Sequence, residues 1–115
     1  MVQFSEVVKV ERTRCSTCVN LQYTLPCRID KDIVKYMTSF GSPKYPLGSI
    51  RLLKIESPDG FTIEGKLEKN IVKFSMPKEL DIADLQTIDR KIEFDKKLAE
   101  WMTTKLDISI VLGDE

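Results

Sequence analysis

Along much of the chain apolar and polar residues alternate with a period of two, the signature of half-buried strands. In the clearest run Val19, Leu21, Tyr23 and Leu25 point one way, and Asn20, Gln22 and Thr24 the other. A looser alternation precedes it, with Val8 and Val10 set against Val7, Lys9 and Glu11, so the two runs read as a hairpin. Pro26 ends the second run, because it has no amide to give to a ladder. The pattern then changes. Asp30 suits a helix N-cap, Ile29 can staple onto Val34, and Ile33, Val34, Met37 and Phe40 form one apolar stripe that Gly41 terminates. Ser42 to Gly48, with Pro43 and Pro46, reads as a loop.

A three-stranded meander is expected next. Ile50 to Glu56 is its first strand, and Ser57-Pro-Asp-Gly60 is a strong turn signal. Phe61, Ile63 and Leu67 alternate with polar neighbours, Glu68-Lys-Asn70 turns the chain again, and Val72, Phe74 and Met76 form the buried side of the third strand. Asp81 then resembles an N-cap for a long helix from about Ile82 to Lys105, either continuous or restarting near Asp89. At about 100° per residue Leu85, Ile88, Ile92, Leu98, Ala99, Met102 and Leu106 share one side, and Phe94 and Trp101 widen that arc to roughly half the circumference. Ile108, Ile110 and Leu112 make a last strand.

This order predicts a single α+β domain over residues 1–115, a two-layer sandwich with an antiparallel or mixed sheet and two helices on one face. The nearest simple plan is a ferredoxin-like split βαβ unit with an extra N-terminal strand. A chain of 115 residues buries roughly two-thirds of its unfolded surface and needs neither disulfides nor metal to hold together. No run approaches the ~20 apolar residues of a membrane span, so no membrane partner is expected. Glu6 and Lys9 interrupt the apolar N-terminal pattern, which is wrong for a secretory signal, and three cysteines cannot all pair. The expectation is a cytoplasmic protein with reduced thiols.

Histidine is absent, which removes the usual acid–base and nucleophile-activating side chain. The five glycines are scattered and none opens a helix after a strand, so no phosphate-cradling loop is present. Nothing here argues for an enzyme. The sharpest local motif is Cys15-x-x-Cys18, followed by Cys27. Two thiolates at that spacing can grip zinc, a third could join them, and Asp30, Asp32 or a second subunit would have to supply the fourth ligand. Arg12, Arg14 and Arg28 lie near the same cysteines and could lower their pKa values for redox work. The CxxC of redox domains, however, opens a helix, whereas this one sits between strands. The competing reading makes all three cysteines small, partly buried packing residues.

Charge is uneven along the chain. Residues 1–54 carry nine Lys and Arg against four Asp and Glu, and residues 55–115 carry nine against fourteen. Arg12, Arg14 and Arg28 therefore become candidate anion-binding residues, and Tyr23, Tyr36, Phe40 and Tyr45 in the basic half could stack on nucleic-acid bases. A pI near 6.3 and the lack of any nucleic-acid motif weigh against that partner, and the preferred expectation is that the halves interleave in space and their charges mix.

The wide apolar arc of the last helix is the remaining signal. Phe94 and Trp101 exceed what one sheet face normally covers, and Asp95 lies inside the arc. They belong either to the core or to a subunit interface, where a buried Asp95 would need a cation across the contact. The leading reading is a non-catalytic interaction module that binds a protein partner, or itself as a homo-oligomer, through Phe94, Trp101 and Asp95. The alternative is a zinc- or thiol-dependent regulatory or nucleic-acid-binding protein working through Cys15, Cys18 and Cys27.

Overall fold

The computed structural model describes residues 2–14, 18–41, 43–44, 52–77 and 85–112. Its strands are β1 (Val2–Gln3), β2 (Lys9–Arg14), β3 (Cys18–Thr24), β4 (Pro43–Lys44), β5 (Leu52–Glu56), β6 (Thr62–Lys66), β7 (Ile71–Pro77) and β8 (Ile110–Val111). Its helices are α1 (Phe4–Val7), α2 (Ile33–Tyr36) and α3 (Leu85–Leu106). Six strands form one sheet in the order β2-β3-β7-β6-β5-β4, every neighbouring pair antiparallel.

The period-two pattern sets the register. Leu21 of β3 lies opposite Phe74 of β7, Phe74 opposite Ile63 of β6, and Ile63 opposite Ile55 of β5, so one apolar row crosses four strands. These side chains are buried together with Ile33 and Met37 of the α2 region and with Phe94, Leu98, Trp101 and Met102 of α3. Asn20, Gln22, Lys73, Ser75 and Glu64 occupy the intervening positions and leave the opposite face polar, the usual division for an antiparallel sheet with one covered side. The expected α+β sandwich, with helices on one face, is therefore the observed architecture.

The connections differ in detail. The tetrapeptide Ser57 to Gly60 turns as expected: Gly60 N–H donates to Ser57 O at 3.1 Å, Phe61 N–H to Ser57 Oγ at 3.0 Å, and Gly60 takes a left-handed φ of 94°. Glu68 turns at a φ of 72° between β6 and β7. Residues 30–40 wind instead of forming a full helix. Only Ile33–Tyr36 is helical, and bonds such as Ile33 N–H to Asp30 O and Phe40 N–H to Met37 O span three residues. The Asp30 carboxylate accepts from Asp32 N–H at 3.0 Å and from the Lys105 ammonium, which favours a tight turn over an extended helix. The stripe survives, since Ile33, Met37 and Phe40 are all buried.

Gly65 admits one close approach. A Cβ there would come within 2.7 Å of Ile29 Cδ1, so only a bare backbone lets Ile29 pack on β6. α3 runs unbroken through Asp89 and ends where Asp107 adopts a left-handed φ of 54°. The split-βαβ plan is not realised. The last strand does not enter the main sheet but pairs in parallel with β1, Val2 opposite Ile110 and Gln3 opposite Val111. The start and cap of the last helix around Asp81, and most of the proline loop, lie outside the described residues.

Candidate interaction surface on the last helix

The apolar arc of α3 is real, but its centre is displaced from the sequence expectation. Phe94, Leu98, Trp101 and Met102 are the residues driven into the sheet, while Leu85 is 78%, Ile88 37% and Ile92 43% exposed. The cause is an aromatic cluster beneath the helix. Phe94 stacks on Phe74 with ring centroids 5.0 Å apart and meets the Tyr23 ring edge-on at 4.9 Å, and Phe40 packs at 6.2 Å. These rings fill the space under α3 and turn Leu85, Ile88 and Ile92 to one side. As direct partner anchors Phe94 and Trp101 are thus ruled out: both are at most 1% exposed within their own chain.

The displaced row borders a groove. Its C-terminal continuation, at Ala99 and Thr103, faces β8 across a separate groove of about 650 Å³, and Ile110 N–H donates to Thr103 Oγ1 at 3.2 Å. The N-terminal half is left open. Between Ile88 and Ile92 on one wall and Val10 of β2 on the other lies a groove of about 700 Å³, with Phe4 and Val8 also lining it and Leu112 contributing from the chain's other end. Val10 is 39% exposed because β2 is an edge strand that α3 does not overlie.

Asp95 also lines this groove, although it is only 8% exposed. Tyr23 O–H donates to its Oδ1 at 2.7 Å, and the Lys91 ammonium donates to its Oδ2 at 2.8 Å. The cation that a buried Asp95 requires therefore comes from one turn back on the same helix, not from a partner. Burial, reinforced by the adjacent Asp95 charge and hydrogen bond, drives the Tyr23 phenol well above its ordinary pKa, so it remains a neutral donor. Away from the groove α3 is anchored by Arg90, whose Nε and Nη2 hold both Asp59 oxygens at 2.8 and 3.1 Å while its guanidinium lies 5.0 Å over the Phe40 ring.

The remaining candidates do not converge. Cys18 opens β3 and Cys27 lies three residues past its end, so a strand of seven residues holds their backbones about 20 Å apart. Thiolates sharing one zinc sit about 4 Å from each other, so the set Cys15, Cys18 and Cys27 cannot close on one ion within a chain. Cys15 itself lies outside the described residues, and among those described no group of Cys, Asp and Glu is placed to hold a metal. Burial raises the Cys27 thiol pKa, with Lys105 opposing and Asp30 adding to the effect, the reverse of an activated thiolate.

Arg12 and Arg14 lie toward the β2–β3 connection and Arg28 beyond the far end of β3, so the three do not form one anion site. Nor do the basic and acidic halves separate. β6 and β7 sit between β3 and β5, Glu64 lies opposite both Lys54 and Lys73, and Lys105 reaches across to Asp30. No helix among the described residues is long and apolar enough to cross a membrane.

Sequence reasoning found the α3 stripe but not the groove, because Phe4 and Val8 gave no sign that α1 would bring them beneath it. No protein-family model matches this chain, and neither a curated protein nor a solved structure is similar to it.

Proposed function

We propose that this chain is a small non-catalytic interaction module that self-associates through α3. The observation that supports the reading is the uncovered N-terminal half of the α3 stripe: Leu85, Ile88 and Ile92 stand exposed beside an apolar groove whose opposite wall is Val10. Exposed aliphatic rows of this kind beside a preformed groove are how helices recognise one another, with the buried carboxylate already neutralised inside each subunit so that association strands no charge. Light scattering after size exclusion tests it. Wild type is expected at twice the monomer mass, and Ile88→Glu with Ile92→Glu at the monomer mass with an unchanged circular dichroism spectrum. A wild type that stays monomeric at high concentration sinks the reading.

A further inference from the structure

α3 carries nine charged residues, and seven of them have a partner inside the chain: Arg90 with Asp59 and Glu93, Lys91 with Asp95, Lys97 with Glu100, Lys105 with Asp30. Among the described residues the two left without an ion pair are Asp89 and Lys96, and both are exposed. They are seven residues apart, so they lie within about 20° of each other on the helix surface. Both flank the stripe on the same side, and Lys96 also rims the groove.

This spacing is self-complementary in one orientation only. Two parallel copies would place their Asp89–Lys96 edges on opposite sides of the seam, where the pairs cannot meet. Two antiparallel copies related by a two-fold axis beside Ile92, at the midpoint of residues 89 and 96, set Asp89 of each against Lys96 of the other. The same axis brings Ile92 onto its own symmetry mate and lays the two apolar rows along each other. An isologous contact requires that residue i meets j while j meets i, and this pair satisfies it.

Resting on the self-association reading above, we infer that the partner is a second copy bound antiparallel along α3, its register and orientation selected by two symmetric Asp89–Lys96 ion pairs at the rim of an apolar seam.

Two exposed substitutions test the register without touching the core. Asp89→Lys alone opposes two ammonium groups at each end of the contact, and Lys96→Asp alone opposes two carboxylates there. Each variant should therefore self-associate about tenfold more weakly than wild type at low salt. Mixing the two variants restores both attractions, and the mixture should associate to within about threefold of wild type, as should the double variant D89K/K96D. Sedimentation velocity reads all four, with circular dichroism to confirm folding. If wild type dimerises but neither single variant weakens it, or if mixing rescues nothing, the register is wrong while self-association stands. If wild type is monomeric, the reading beneath it falls as well.

Discussion

Tyr23 O–H donates to the carboxylate of Asp95 across 72 residues of sequence, fastening the middle of the sheet to the middle of α3. Both groups are buried, so Tyr23→Phe removes a charge-assisted bond and leaves Asp95 with Lys91 alone. A loss of about 1–3 kcal/mol in unfolding free energy is expected, read by urea titration at neutral pH. The pH dependence has a definite sign. The folded phenol holds its proton above the pKa of the unfolded one, so Tyr23 contributes full stability below about pH 10 and loses it progressively as pH rises beyond that. Wild type should therefore weaken between neutral pH and about pH 11, and Tyr23→Phe should show a shallower decline over the same range. Equal slopes would mean that the phenol is not shielded as described.

Arg90 ties α3 to the turn between β5 and β6 by a two-pronged grip on Asp59, a contact to Glu93 at 3.0 Å and a face-on contact with Phe40. A lysine can supply the charge but neither the fork nor the flat cation. Arg90→Lys is expected to cost nearly as much as Arg90→Ala, about 1–2 kcal/mol, and thermal unfolding of the two variants side by side decides it. Full retention of stability in the lysine variant would show that charge alone suffices.

Phe94 and Trp101 occupy the core, so their truncation should strike folding, not assembly. Phe94→Ala or Trp101→Ala is expected to lower unfolding free energy by about 3–5 kcal/mol, whereas Ile92→Glu should leave the unfolding midpoint within about 1 kcal/mol of wild type. Urea titration of dilute protein, where association contributes little, separates the two behaviours.

Gly65→Ala places a methyl group against Ile29 Cδ1, and because Ile29 is 2% exposed its side chain has little room to retreat. The substitution should cost about 1–2 kcal/mol, and Ile29→Val in the same molecule should recover part of it by removing the atom that is struck. A purely additive pair of losses would place the cost in the backbone.

Much of the fold is written in local periodicity. The alternation in β3, β6 and β7 named the buried face residue by residue, and Ser57 to Gly60 named its turn, because in each case the chemistry acts within four or five positions. What periodicity could not give is what lies opposite. Phe94 and Trp101 are as compatible with a partner as with a core until Phe40 and Phe74, brought from distant segments, are seen to pack against Phe94, and Trp101 is found only 1% exposed. The split of Cys18 from Cys27 is similar. Nine positions read as neighbouring ligands on paper, yet an extended strand converts most of that separation into distance. The last strand was legible as a strand, but its pairing with β1 depends on Val2 and Gln3, two residues too short a run to announce themselves.

The seam between β3 and β7 bears on how the chain reaches this state. β2 with β3, and β5 with β6 and β7, are each hairpin-connected and can close over short loops within their own segments. β3 meets β7 only by joining Cys18–Thr24 to Ile71–Pro77, a separation of about fifty residues, and α3 has no complete sheet to lie on until they meet. Closing that one long loop is the largest entropic step in building the sheet, and residues along the seam, Leu21 and Phe74 above all, are where substitutions should slow folding more than they hasten unfolding.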